Sequence, residues 1–194
     1  MLKLLFLDRV SDATVLSEAC RGELLQCVSV HEAKDETRLP DTHQLDSRLL
    51  LIVSGIARVY AVTDDGKDVT QYFARAEDFI AANPAHGDNR TLQVEAITEL
   101  SYVSLRTEDF DRLLVTYPEM GVFLAAYMRD ASLRAREREA RRGRAEAVDS
   151  YASFLLAYPG LETQVPTVHL ASYLGLTPSQ FMRARQKYRE RGIM

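Results

Sequence analysis

The residues with the clearest chemical pattern lie near the carboxyl end of the chain. Thr177-Pro178-Ser179-Gln180 is a capping box with proline at the first helical position, which marks the start of a helix. With Phe181, Ala184 and Tyr188 turned inward, the opposite side of that helix carries groups that can hydrogen-bond base edges and neutralise phosphates. These groups belong to Ser179, Gln180, Arg183, Gln186 and Lys187, with Arg185, Arg189 and Arg191 beside them.

The segment before this helix has the features of a tight corner between two helices. Thr167–Tyr173 is predicted to form a short helix, and Gly175 ends it. Ala171 is small enough to let a second helix approach. Five apolar residues are spaced to fill the angle between the helices, namely Leu170, Leu174, Leu176, Phe181 and Ala184. Together these features predict a helix-turn-helix, and the alternative is a basic helix that is merely solvated.

The helix-turn-helix interpretation assigns a role to each polar residue. Arg183 can donate two hydrogen bonds to guanine, Gln180 can pair with adenine, and Lys187 is expected to contact phosphate. The predicted DNA-binding residues are Thr177, Ser179, Gln180, Arg183, Arg185 and Lys187.

The charge of the chain is divided unequally along its length. Residues 1–133 carry 13 Lys/Arg and 22 Asp/Glu, whereas residues 134–194 carry 11 and 6, so the total of −4 hides a net −9 and a net +5. An acidic body with a basic carboxyl-terminal module is typical of a protein that meets a polyanion.

Composition and length favour a cytoplasmic globular protein. The 194 residues are 46% hydrophobic and 27% charged, enough for one large domain or two small ones. The longest apolar runs, such as Leu49–Val53, are far too short to cross a bilayer, and the first eight residues lack a secretory cleavage site. Cys20 and Cys27 are predicted to be reduced core residues.

Short strands punctuated by turn residues fill the segment from about Leu25 to Arg106. Leu49–Val62 is rich in β-branched and aliphatic residues, and Asp65-Gly66 after it is a strong hairpin signal. Val69–Phe73 and Leu92–Ile97 alternate in polarity, and Tyr102–Leu105 is a further strand candidate. This spacing predicts an antiparallel sandwich or roll.

The period changes to helical from Thr107. A first helix starts there, and Pro118 is expected to open a second, longer one. Arg134–Arg144, nearly all Arg, Glu and Ala, is predicted to be a solvated helix end or hinge. A heptad-like seam on the long helix either docks on the sheet or, as we favour, pairs with a second copy of the chain. The seam consists of Met120, Leu124, Tyr127 and Ala131.

At this point the chain resembles the Crp/Fnr transcription regulators over roughly residues 10–190. Gly55 within Leu50–Tyr60 is similar to the family's strand–Gly–strand signature, and Asp65-Gly66-Lys67 to its hairpin. Tyr117-Pro118-Glu119 resembles the start of the dimer helix, and Leu170–Pro178 is close to a branch with short carboxyl-terminal domains. The resemblance implies an α+β protein with a cyclic-nucleotide-binding-like antiparallel β-roll, a long dimerisation helix and a carboxyl-terminal helix-turn-helix of reduced winged-helix type.

The sequence departs from this family in its effector motifs. Cyclic-nucleotide-binding members have a Gly-Glu pair where this chain has Ala81-Ala82, so the ribose acceptor is missing and a response to cAMP is not expected. Arg90-Thr91 does match the family's phosphate-binding pair, and these are the candidate effector-binding residues. The cysteine cluster of the oxygen-sensing members is absent. The chain stops at Met194, where a last hairpin would begin, so a reduced wing is expected.

These observations predict a homodimeric, sequence-specific DNA-binding transcription regulator that binds a pseudo-palindromic duplex, with an effector left open. We expect no enzyme activity, cofactor, metal site or membrane contact, because the four histidines lack paired ligand spacing and no phosphate loop precedes a helix. The alternative is a small-molecule or protein-partner sensor with a β-roll that does not bind DNA. The expected domains are 1–106 (sensor), 107–143 (dimerisation helix and hinge) and 144–194 (DNA-binding).

Overall fold

The structure, a computed structural model, describes residues 1–39, 48–80, 92–142 and 146–192. Within these ranges the chain forms seven α-helices and seven β-strands, an α+β fold in which every pair of neighbouring strands is antiparallel. The helices are α1 (Leu2–Ser11), α2 (Glu18–Cys27), α3 (Thr107–Thr116), α4 (Pro118–Arg142), α5 (Ala147–Ala157), α6 (Thr167–Leu174) and α7 (Pro178–Glu190). The strands are β1 (Ser29–Ala33), β2 (Arg48–Ser54), β3 (Ala57–Val62), β4 (Asp68–Ala74), β5 (Phe79–Ile80), β6 (Leu92–Ala96) and β7 (Leu100–Arg106).

The strands form two sheets that pack as a roll. One sheet has the order β1-β7-β2-β5 and the other β4-β3-β6. The predicted hairpin at Asp65-Gly66 is confirmed, because β3 pairs with β4 and Gly66 has a φ angle of +77°. The backbone N–H of Thr63 donates to the carbonyl of Lys67 at 2.9 Å and closes the turn.

Gly55 makes the corner between β2, which belongs to the first sheet, and β3, which belongs to the second. Its φ angle is +88°, a left-handed conformation that side chains disfavour. A Cβ atom at this position would lie 2.2 Å from the carbonyl oxygen of Glu99. Glycine is therefore required here both by the backbone conformation and by the close approach of another chain segment.

The roll has apolar residues on both faces of its first sheet. Leu50, Ile52 and Tyr102 point into the space between the sheets, where they pack with residues of β3 and β6. Leu51 and Val103 point the other way and pack against α1 to α4. Because successive residues of a strand face opposite sides, this explains the nearly continuous apolar run in β2.

The two amino-terminal helices were not predicted from the sequence. Ser17 caps α2 by accepting a hydrogen bond from the backbone N–H of Cys20, at 3.3 Å from its hydroxyl oxygen. The thiols of Cys20 and Cys27 are free, as predicted, and Cys20 is fully buried. Burial, together with the nearby carboxylates of Glu119 and Glu23, raises the pKa of Cys20 to about 11, so this thiol stays protonated.

The long helix α4 lies against the roll along the seam predicted from the sequence. Met120 is fully buried in the protomer, and the ring of Tyr127 lies 6.3 Å from that of Phe79. The prediction that Met120 forms a dimer interface is therefore wrong, because a side chain without exposed surface cannot contact a second chain. Ala131 is also nearly buried, at 8% exposed, whereas Leu124 is half-buried. The seam docks on the roll, which was the alternative to self-pairing.

The carboxyl-terminal helices form a third core that extends onto the roll. Phe154, Leu170 and Phe181 are buried among α5, α6 and α7, and Phe73 of β4 packs with them. The connection between α5 and α6 includes one 3₁₀ turn at Leu161–Thr163. The carboxyl-terminal helices are thus anchored on the second sheet by apolar contacts.

Candidate nucleic-acid interface

Helices α6 and α7 are joined by a short turn centred on Gly175. Gly175 has a φ angle of +69°, and the backbone N–H of Leu176 donates to the carbonyl of Ala171 at 2.9 Å. This is the hydrogen bond with which a left-handed glycine ends a helix. The structure therefore confirms the predicted end of α6 and reverses the chain direction just before α7.

The predicted capping box at the start of α7 is present in full. The side-chain oxygen of Thr177 accepts from the backbone N–H of Gln180 at 3.2 Å, and the Gln180 amide oxygen accepts from the backbone N–H of Thr177 at 2.8 Å. Pro178 occupies the first helical position. Two backbone donors that a helix leaves unpaired are satisfied in this way, which fixes the direction in which α7 leaves the turn.

The inner side of α7 is anchored by aromatic packing. Phe181 is fully buried and Ala184 is 2% exposed. The ring of Tyr151 in α5 lies edge-on to Phe181 at 5.5 Å and to Tyr188 at 5.3 Å. These contacts set the rotation of α7 about its own axis, so the opposite side of the helix must face outward.

That outer side carries an exposed polar row with a spacing of four residues. Ser179, Arg183 and Lys187 are all exposed, and residues four apart lie above one another on a helix. The Nε of Arg183 lies 3.4 Å from the carbonyl oxygen of Ser179. The two terminal nitrogens of Arg183 have no partner among the described residues, so they are available to a ligand. We call Ser179, Arg183 and Lys187 the polar row.

Three of the six predicted DNA-binding residues are already engaged within the chain: Thr177 and Gln180 in the capping box, and Arg185 in an ion pair. Arg185 is half-buried, and its Nε lies 2.6 Å from a carboxylate oxygen of Glu162. Contact of Arg185 with DNA therefore stays a prediction, and its guanidinium would have to serve Glu162 and the DNA together. Gln180 is exposed, but its amide oxygen belongs to the capping box, so bidentate pairing with N6 and N7 of adenine would require it to leave that box.

Glu162 has a second partner in the same region. Burial and a hydrogen bond to Glu162 raise the pKa of the Tyr151 phenol, so its hydroxyl remains a donor. Tyr151 and Arg185 thus hold one carboxylate from opposite sides. At the end of α7 the guanidinium of Arg191 lies 3.4 Å from both Glu146 and Asp149. Within the described part of the chain, Arg183, Lys187 and Arg189 are the cations of α7 that have no carboxylate partner.

The contact between α6 and the roll was not predicted from the sequence. The backbone N–H of Thr70 in β4 donates to the Ser172 hydroxyl oxygen at 3.0 Å, and that hydroxyl donates to the carbonyl of Asp68 at 3.2 Å. Ser172 thus satisfies backbone groups on the outer edge of β4. The helix that precedes the turn is therefore attached directly to the second sheet.

A buried arginine lies beneath this contact. Arg58 is 3% exposed, and its guanidinium donates to the Thr70 hydroxyl and to Glu95, each at 2.9 Å. It also lies 4.2 Å from the centre of the Tyr60 ring. Burial and the charge of Arg58 lower the pKa of His169 in α6. A charged residue in the middle of an apolar strand is the only sequence signal that could have revealed this network.

Other predicted residues are placed as follows. Arg90, Thr91 and Ala81-Ala82 lie outside the described residues, as does the last part of the predicted hinge at 143–145. No group of three or more His, Cys, Asp or Glu side chains that could hold a metal ion occurs in the part of the chain that the structure describes. Among the same residues, no helix has the length and apolar character needed to cross a membrane.

The roll is similar to a known protein family. Residues 41–117 match the family of the cyclic nucleotide-binding domain. The matched residues are followed by α4 and by the helices α5 to α7, which lie outside the match. No curated protein matches the chain in sequence.

Solved structures share the fold beyond the cyclic nucleotide-binding domain. FixK2 from Bradyrhizobium japonicum superposes with a TM-score of 0.74 at 19% identity, over 86% of each chain. A protein from Eubacterium rectale assigned to the Crp/Fnr family of transcriptional regulators gives 0.70 at 17% identity, over 92% of this chain and 86% of the other. The c-di-GMP-responsive global regulator CLP from Xanthomonas campestris gives 0.67 at 16% identity, over 91% and 94%. The resemblance to the Crp/Fnr regulators is thereby confirmed at the level of the fold.

Proposed function

We propose that the protein is a cytoplasmic, homodimeric, sequence-specific DNA-binding transcription regulator of the Crp/Fnr type. The observation that carries the proposal is the polar row, which is exposed on a helix whose start and rotation are both fixed. Residues 165–194 hold five cations and one carboxylate in a protein with a net charge of −4. A DNA-binding helix needs exposed cations and a fixed orientation, and α7 has both because its capping box and the buried Phe181 hold it in place.

Each residue of the polar row has a distinct role in this proposal. Arg183 reads a guanine by donating two hydrogen bonds to its major-groove edge. Lys187, one turn further along, pairs with a phosphate and contributes affinity without sequence preference. Ser179, in the first turn of α7, is close to the capping residue Thr177 and hydrogen-bonds a base edge or a phosphate. Helices α6 and α7 then form the helix-turn-helix.

The fold comparisons support regulation as the class of function. The similar proteins include a member of the Crp/Fnr family and a global regulator, and they cover nearly the whole of this chain. We propose that this chain is likewise divided into three functional parts. Residues 1–106 form the sensor domain, 107–143 the dimerisation helix and hinge, and 144–194 the DNA-binding domain.

Dimerisation in this proposal uses the side of α4 that faces away from the roll. Val122 and Leu133 are 53% and 51% exposed, and Leu124 is half-buried at the margin of the docked side. Exposed aliphatic residues along one helix are suited to pairing with a second copy of that helix. Two α7 helices would then enter successive major grooves roughly 34 Å apart at a pseudo-palindromic site.

The decisive experiment is the selection of bound duplexes from a random pool with the purified protein. A palindromic consensus supports both DNA reading and twofold symmetry. The salt dependence of binding to that consensus should be steep, with a log–log slope of about −0.9 for each neutralised phosphate. The absence of duplex binding at low salt would contradict the proposal and leave the alternative of a sensor that does not bind DNA.

Variants of the polar row separate base reading from phosphate binding. We expect Arg183→Ala to cost about 1–3 kcal/mol of binding free energy and to relax the preference at one base pair. Lys187→Ala should weaken all sequences alike and lower the salt slope by about one. Arg21→Ala removes an exposed cation of α2 and is the matched control. If Arg183→Ala behaves like Arg21→Ala, the role assigned to Arg183 is wrong.

A further inference from the structure

A cavity of about 610 Å³ lies where the roll, α4 and the carboxyl-terminal helices meet. Its walls come from β4, the β4–β5 turn, β5, the far part of α4, and helices α5 and α6. The volume is within the range of cavities that bind small molecules. The polar row of α7 contributes nothing to it, and the candidate effector residues Arg90 and Thr91 lie outside the described residues. The cavity therefore has no role in the function proposed above.

Aromatic rings form much of the cavity wall. Phe73 of β4 lies 6.0 Å from the ring of Tyr158 and 5.6 Å from that of Tyr173, and Tyr72 and Phe79 line other parts of the cavity. Phe73 and Tyr173 are 2% and 8% exposed, so they form the base of the cavity, whereas Tyr72, Phe79 and Tyr158 are half-buried and leave surface for contact with a flat aromatic molecule. Burial raises the pKa of the Tyr158 phenol, so this side chain is uncharged and does not repel an anion.

Two arginines from distant parts of the sequence reach the same space. The guanidinium of Arg75 lies 5.4 Å from the centre of the Tyr158 ring, with no carboxylate partner among the described residues. Arg134 of α4 is 45% exposed, and its nearest carboxylate oxygen, in Asp78, is 3.8 Å away. That carboxylate accepts a hydrogen bond from the backbone N–H of Arg75 at 2.8 Å, so it is held in the turn. Arg75, Arg134 and Asp78 together carry one net positive charge.

We propose that this cavity binds a small aromatic molecule that carries one carboxylate or phosphate. The ring of the ligand packs on Tyr72, Phe79 and Tyr158, and its anionic group pairs with Arg134 and Arg75. Guanidinium groups form paired hydrogen bonds with carboxylate and phosphate alike, so both chemistries are covered by the same site. The ligand contacts the roll, α4 and the carboxyl-terminal helices at once and therefore stabilises their docked arrangement.

Calorimetric titration of the free chain tests the proposal without DNA, so its outcome is independent of the DNA-binding proposal. Indole-3-acetate serves as the aromatic carboxylate and adenosine 5′-monophosphate as the aromatic phosphate. Indole, adenosine and inorganic phosphate are the controls that lack either the charge or the ring. We expect one of the two aromatic anions to bind with one site per chain, and its neutral counterpart to bind about tenfold more weakly or less.

Arginine variants locate the site. Arg134→Gln and Arg75→Gln should each weaken the bound anion by about tenfold or more. Arg136→Gln is the matched control, because Arg136 is exposed and lies two residues further along α4, on the other side of the helix. The proposal is overturned if neither anion binds at about 1 mM. Equal binding by the wild type and Arg134→Gln, or equal binding of inorganic phosphate alone, overturns it as well.

Discussion

Substituting Gly55 by alanine should destabilise the protein far more than the same change at Gly66. Both glycines have positive φ angles, +88° and +77°, so both substitutions incur the cost of a left-handed alanine, about 1–2 kcal/mol. At Gly66 no atom lies within 4 Å of an added Cβ, so the backbone conformation is the only source of destabilisation. At Gly55 the added Cβ meets the carbonyl oxygen of Glu99 at 2.2 Å, whereas ordinary contacts begin at 3.4 Å.

The segment that would have to move by about 1.2 Å is held in place by hydrogen bonds. The backbone N–H of Ile56 donates to the Thr98 hydroxyl at 2.9 Å, and the N–H of Ile97 donates to the carbonyl of Ile56 at 2.8 Å. Relief of the clash would disturb these bonds or the corner itself. Overpacking of this kind typically costs 1–3 kcal/mol. We therefore expect about 2–5 kcal/mol in total for Gly55→Ala, against about 1–2 kcal/mol for Gly66→Ala.

Equilibrium unfolding in urea, followed by circular dichroism, measures both values on the same scale. The slope of the transition should be unchanged if the native fold is retained. Equal losses of unfolding free energy in the two variants would refute the reasoning, because an added Cβ meets other atoms at Gly55 and none within 4 Å at Gly66. If Gly55→Ala does not accumulate as folded protein while Gly66→Ala does, the ranking is confirmed.

Three further changes test other parts of the molecule. Phe181→Ala should lower the unfolding free energy by about 3–5 kcal/mol, because a fully buried ring is lost, and urea unfolding measures it. Thr177→Ala removes the α7 cap and should cost about 1 kcal/mol, with a matching loss of helix signal on heating; no change would contradict the role of the cap. His169 has a lowered pKa through burial and Arg58, so the unfolded state takes up its proton first as the pH falls. Stability should therefore be complete above about pH 6.5 and decrease below it, and His169→Gln should flatten that dependence in urea midpoints from pH 5 to 7; an equally steep dependence would contradict it.

Local signals were sufficient to predict five of the seven described strands and the carboxyl-terminal turn, whereas β1 and β5 were not predicted as separate strands. The Asp65-Gly66 hairpin, the end of α6 at Gly175 and the Thr177 capping box each depend on a few neighbouring residues, whose conformational preferences act within one turn of chain. Helices α1 and α2 were missed because their apolar residues are too few for a clear period. The cap at Ser17 was the available signal.

The candidate interface was predictable only in part, for a similar reason. Exposure of Ser179, Arg183 and Lys187 follows from helical period, which a single sequence displays. The ion pair of Arg185 with Glu162 depends on the return of a distant segment, and no spacing in the sequence encodes it. The same is true of Arg75 and Arg134, which meet only because α4 runs back across the roll.

The attachment of α6 to the edge of β4 through Ser172 has a mechanical consequence. Since α6 and α7 are joined by a three-residue turn and share one apolar core, they move as a single rigid lever whose pivot is the outer strand of the roll. A displacement of β4 would be carried outward to Lys187 at the far end of α7. In the dimeric regulator proposed above, the geometry of the second sheet would thereby influence the spacing between the paired α7 helices.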